Sequence, residues 1–139
     1  MKRPKQTSSL SPVIPIRVRG PKETFSTVGL LDSGADFSAI TREFAEILGL
    51  NLSKGKKEDI GGIGGSAQAI KKNIQVLVKV DHNELAIPMR AFVLLERIDD
   101  FPVILGRVDF FSLFEITFKE MERKVVLKKI SEKIGRFKL

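Results

Sequence analysis

Apolar and polar positions alternate over Ile74-Gln75-Val76-Leu77-Val78-Lys79-Val80 at the two-residue period of a half-buried strand, and other short apolar runs are bounded by turn residues. Val13-Ile14-Pro15-Ile16-Arg17-Val18 and Phe25 to Leu31 read as a strand pair around the turn-prone Gly20-Pro21-Lys22. Phe37 to Ile40 continues as a short strand. Thr41 then caps a helix over Arg42 to Leu48, which turns Phe44, Ile47 and Leu48 to one face and ends at Gly49. After a polar link comes the glycine-rich Asp59-Ile60-Gly61-Gly62-Ile63-Gly64-Gly65. Ile74 to Val80 and the apolar Leu85-Ala86-Ile87 form a hairpin around Asp81-His82-Asn83-Glu84. Phe101 to Gly106 reads as a buried strand, Val108 to Phe114 as a second short helix, and Glu115 to Phe118 against Lys124 to Ile130 as a last hairpin around Met121-Glu122-Arg123. Short strands with two small helices and no internal repeat predict an all-β, closed, barrel-like fold.

Composition narrows the chemistry. The 139 residues suffice for one domain with its own core, 42% of them hydrophobic and 29% charged. With no cysteine there is no disulfide, thiolate metal site or thiol nucleophile. The single histidine, His82, falls in a polar turn, without the companions that a serine triad or a zinc site requires. Neither metal nor cofactor is expected. No apolar run approaches the roughly 20 residues that cross a bilayer, and the basic start Met1 to Ser9 has no apolar stretch behind it, so a cytoplasmic protein without membrane contact is expected.

The net charge of +7 raises nucleic-acid binding. Much of it sits at the ends, in Lys2, Arg3 and Lys5 and in Lys124, Lys128, Lys129, Lys133, Arg136 and Lys138. There is no tyrosine or tryptophan, and the phenylalanines sit mostly in apolar strings, so no base-stacking platform is evident and nucleic acid is not expected as a partner. The chain divides into a basic tail over 1–12, a folded domain over 13–130 and a basic tail over 131–139.

The candidate chemistry lies in Leu30-Leu31-Asp32-Ser33-Gly34-Ala35-Asp36-Phe37-Ser38, where apolar residues run into a carboxylate that a Ser-Gly turn then holds. Asp-Ser-Gly alone is an ordinary turn. Its meaning changes with two later segments, Ile-Gly-Gly-Ile-Gly-Gly at 60–65 and Val-Ile-Leu-Gly-Arg at 103–107. Together, in this order, they resemble the retroviral-type aspartic proteases, or retropepsins, over about Val13 to Phe118, with the segment from Phe110 closer to cellular bacterial and archaeal relatives.

The resemblance implies Asp32 as the catalytic carboxylate, with Ser33 and Gly34 completing the motif. It implies a flap over Ile60, Gly61, Gly62 and Ile63 with Ile63 at its tip, and an Arg107–Asp36 pair bracing the active-site loop, partly buried and bidentate. Ala35, Asp36, Phe37 and Ile104 would line the substrate cleft, with Phe37 suggesting apolar pockets. For the glycines, a linker or a phosphate loop is the competing reading, but no Gly-Lys-Ser/Thr ending follows.

The chemistry requires one ionised and one protonated carboxyl oxygen, so two aspartates must share a proton. Only one Asp-Ser/Thr-Gly exists here, and Asp59, Asp81, Asp99, Asp100 and Asp109 lack its context. The second carboxylate must come from a second copy, which makes a twofold homodimer the expected assembly and a peptide or protein the expected substrate. A non-catalytic dimerisation or peptide-binding module of the same fold is the alternative. About twenty residues beyond the usual end of the viral fold add a hairpin, so the dimer sheet is expected to differ from the viral one.

Overall fold

The computed structural model describes residues 12–62, 65–96 and 103–130. Its longest pairing joins β5 (Gly65–Val80) to β6 (Asn83–Leu94), antiparallel from Ala69↔Leu94 to Val80↔Asn83. The connecting Asp81 and His82 take φ of 52° and 70°, the left-handed pair of values whose twist suits a two-residue hairpin. Asn83 and Glu84, expected in the turn, already belong to β6. Alternation decides the faces: Ile74, Val76 and Val78 of β5, and Ile87, Met89, Ala91 and Val93 of β6, all enter the core.

β1 (Val13–Arg19) pairs with β2 (Thr24–Leu31) and also with β5. That second pairing closes a six-stranded barrel in the order β1, β2, β7 (Val103–Leu105), β3 (Ser38–Thr41), β6, β5. β4 (Lys57–Gly62) hangs on β5 outside the ring. Two contacts in the barrel are parallel, β2 with β7 and β3 with β6, and they bring the end of β2 and the start of β3 to one place.

The helix α1 (Arg42–Leu48) follows β3 directly. Phe44 N–H donates to the Thr41 hydroxyl at 3.1 Å, and Gly49 closes the helix at φ 87°, where a side chain would be strained. Ala45 and Leu48 are buried, while Ile47, expected on that face, is exposed. Phe44 packs edge-on against Phe25.

The second helix does not form. Asp109 takes φ 73°, off the right-handed path, while its carboxylate turns back to Arg90. Only a 3₁₀ turn, Phe111–Leu113, remains of the expected 108–114 helix. The short strand expected over Phe37 to Ile40 begins instead at Ser38, because Phe37 turns out to meet Phe92. β8 (Phe114–Lys119) and β9 (Lys124–Lys129) form the terminal hairpin as a separate two-stranded sheet. Ile116, Val125 and Leu127 lean on the core. No helix among the described residues is long and apolar enough to cross a membrane. Residues 1–11 and 131–139, which make up nearly all of the two expected tails, lie outside the described residues.

Candidate active site

Asp32 follows the last residue of β2, and the neighbouring strand holds it there. Its N–H donates to the Leu105 carbonyl of β7 at 3.1 Å, continuing the parallel ladder one step past the strand. The chain then turns within four residues. Gly34 N–H donates to Asp32 Oδ1 at 2.9 Å and Ala35 N–H donates to the Asp32 carbonyl at 3.1 Å. An aspartate that binds its own backbone two residues on is the usual stabiliser of such a turn. The bond uses one carboxylate oxygen and leaves the other available to activate a water. Asp32 is half-buried, and Ser33 and Gly34 are exposed beside it.

The segment after β7 forms a second wall. Arg107 N–H donates to the Ala35 carbonyl at 2.9 Å, and Val108 N–H to the Asp36 carbonyl at 2.8 Å. Gly106 N–H donates to the hydroxyl of Ser38, which is fully buried, at 3.0 Å. Gly106 allows this approach: a Cβ built there would stand 2.5 Å from the carbonyl carbon and oxygen of Phe37 and 2.9 Å from the Ala35 oxygen. Backbone meets backbone, leaving no room for a side chain.

The Arg107–Asp36 pair forms, but differently from expectation. It is a single contact, Nη2 to Oδ1 at 3.2 Å, with the side chains 61% and 73% exposed rather than partly buried. An ion pair so open to water contributes little. The bracing of the loop therefore rests on the three backbone donors of residues 106–108.

Ile104 is half-buried in β7, beside Leu30 on one side and Ala39 on the other. Ile60, Gly61 and Gly62 pair with Ala67, Ser66 and Gly65 in the β4–β5 hairpin. Its tip, with Ile63, lies outside the described residues. The structure thus gathers Asp32 to Ser38 against Leu105 to Val108, and sets the glycine-rich segment on a separate hairpin arm.

Three contributors were not anticipated. Ser38 had a visible signal, a hydroxyl directly before the apolar Ala39-Ile40. The Arg90–Asp109 pair had none, since nineteen residues separate its members: Arg90 donates through its backbone N–H and Nε to Asp109 Oδ2, both at 3.0 Å, and through Nη2 to Oδ1 at 3.2 Å. The side-chain hydrogen bonds from Arg90 hold the Asp109 carboxyl below its ordinary range, against a smaller opposing effect of burial. Lys71 is the third. Its ammonium stands 4.7 Å from the centre of the Phe37 ring and 5.2 Å from that of Phe92.

A strand-end aspartate thus sits in a turn braced from the neighbouring strand, on a closed six-stranded barrel. The sequence matches the family model of the retroviral aspartyl proteases over residues 7–133. The chain belongs to that family. Among solved structures, it is similar to the EIAV protease complexed with the inhibitor HBY-793, with a TM-score of 0.51 and 24% identity over 74% of this chain and 88% of that one. It is also similar to a retropepsin-like aspartic protease from Rickettsia conorii, with a TM-score of 0.55 and 22% identity over 77% of this chain and 84% of that one. At these identities the likeness concerns the fold. No curated protein matches this chain.

Proposed function

We propose that this protein is a homodimeric aspartic endopeptidase that hydrolyses extended peptides in a cleft between two identical subunits, with Asp32 of each chain at the twofold axis. The observation that carries this reading is Asp32 itself, half-buried at the end of β2, tied to Leu105 through its backbone and to Gly34 through Oδ1, in the only Asp-Ser-Gly of the chain.

Two such carboxylates facing each other hold one proton between them, because a second charge at close range is disfavoured. The ionised oxygen takes a proton from water as it attacks the scissile carbonyl, and the protonated one donates to the carbonyl oxygen. Ser33, exposed next to Asp32, supplies a hydroxyl to the partner's backbone, and Gly34 and Ala35 leave space for the substrate chain. The β4–β5 hairpin acts as the flap, with Ile60, Gly61, Gly62 and Ile63 over the substrate. Asp36, Phe37 and Ile104 line the cleft, and Arg107 supports the loop. No metal or cofactor takes part, and the absence of cysteine suits a reducing cytoplasm.

The test is digestion of an unstructured polypeptide across a range of pH, beside Asp32→Asn. The amide keeps the shape of the carboxylate but cannot share the proton, so cleavage should vanish while the dimer persists. Adding Asp32→Asn chains to wild type should poison activity through mixed dimers. Cleavage by Asp32→Asn, or full activity in a monomer, would refute the assignment.

A further inference from the structure

This inference rests on the proposed protease activity and concerns what the cleft selects. Lys71 projects from β5, the strand that continues from the flap hairpin, at the position paired with Phe92. Phe92 meets Phe37 edge-on at 5.3 Å, and Phe37 is the sixth residue of the turn that begins with Asp32. The ammonium lies over both rings. Lys71 as a whole is half-buried, and among the described residues it has no carboxylate partner.

Elsewhere on this surface three exposed arginines pair with acids. Arg17 binds Glu84, Arg90 binds Asp109 and Arg107 binds Asp36. Ring faces offset only part of what an ammonium loses on leaving water, about 0.5–1 kcal/mol at an accessible site. Lys71 therefore carries a charge beside the active-site loop that no carboxylate among the described residues meets. A carboxylate arriving on a substrate would complete it.

We propose that Lys71, seated on Phe37 and Phe92, is a specificity-determining residue that selects an acidic side chain of the substrate. In a twofold dimer there is one Lys71 on each side of the axis, so the preference falls on both flanks of the scissile bond. The two rings hold the ammonium in place, and the half-buried Phe37 ring offers apolar surface to the methylenes of a Glu side chain. The +7 net charge of the chain acts in the same direction at long range, but it favours acidic peptides without regard to position. Positional preference is the signature of Lys71.

The experiment compares cleavage sites in a proteome-derived peptide mixture for wild type, Lys71→Gln, Lys71→Glu and, as a charge control on the exposed polar loop, Lys54→Glu. Wild type should favour Glu over Lys at one position on each flank by about tenfold in kcat/KM, the scale of one pair formed against one repulsion. Lys71→Gln should flatten this preference and Lys71→Glu invert it, while Lys54→Glu leaves it unchanged. A wild type that cleaves through Asp32 without acidic preference overturns the proposal and leaves the protease assignment standing. So does a preference that survives in Lys71→Glu, or an equal slowing on all substrates, which would make Lys71 a clamp on the loop. Absence of any Asp32-dependent cleavage overturns the protease assignment and this inference together.

Discussion

Gly106→Ala tests whether the active-site turn is held by close backbone packing. The added methyl would stand 2.5 Å from both the carbonyl carbon and oxygen of Phe37 and 2.9 Å from the Ala35 oxygen, and none of these atoms can rotate away. Either the 105–108 segment withdraws or the turn shifts by a large part of an ångström. Overpacking of this kind costs about 1–3 kcal/mol. Stretching the buried bond from Gly106 N–H to the Ser38 hydroxyl adds about 1 kcal/mol, and the reduced freedom of alanine in the unfolded chain returns about 0.5 kcal/mol. The net is about 1.5–3.5 kcal/mol, or a fall in Tm of about 10 °C for a chain of this size. Turnover should fall further, by about 10²-fold, because a displacement near 1 Å at a catalytic group has that effect. Thermal unfolding at one fixed protein concentration, with peptide turnover beside it, measures both. Gly29→Ala is the contrast: its methyl would meet the side-chain ends Leu105 Cδ1 at 2.6 Å and Ile16 Cδ1 at 3.1 Å, which can move, so its loss should be smaller. If Gly106→Ala kept wild-type Tm and turnover, the packing account of the turn would be wrong.

Ser38→Ala removes the acceptor of Gly106 N–H in a buried position and should cost about 1–3 kcal/mol, read by chemical denaturation; an unchanged midpoint would mean that another acceptor takes over. Asp109→Asn keeps a side chain tolerant of φ 73° but loses the charge that Arg90 grips, so Tm at neutral pH should drop by a few degrees. Because the folded carboxyl of Asp109 lies below its unfolded value, its contribution is complete above the ordinary Asp range and disappears as pH falls through the folded value. The gap between wild type and Asp109→Asn should therefore close in acid, and a gap that stayed constant with pH would refute the ion-pair account.

The hairpin strand over Ile74 to Val80 was legible through its two-residue period, the strand ending at Gly106 through its apolar run, and α1 because Thr41 and Gly49 mark its ends. The 108–114 helix misled for a local reason: its residues suit a helix, but the carboxylate of Asp109 is claimed by Arg90 from another strand, and the backbone follows it into the left-handed region. Periodicity sets Ile47 on one face with Phe44 and Leu48, yet a helix of seven residues offers the core too narrow a stripe to cover all three, and Ile47 stays exposed. In the candidate site, Asp32 to Phe37 stood out through composition and order. What holds them stood out less: the Ser38 hydroxyl left a mark in the sequence, but the carbonyls of Ala35 and Asp36 are backbone acceptors across a long separation, which side-chain patterns do not record. The ion pair visible in the sequence, Asp36 with Arg107, turned out to be the weaker support.

The separation itself has a consequence for synthesis. Ser38 and Gly106 are 68 residues apart, and the turn at Asp32 depends on β7 and on the amides that follow it. Parallel pairing over such a distance forms late, since the entropy of closing the long loop must be met before the contacts compensate. A chain emerging from the ribosome thus carries Asp32 long before it carries the segment that braces it. Until residues 103–108 have left the exit tunnel, the aspartate lies in an unsupported turn. Under the proposed function, latency during synthesis follows from strand order.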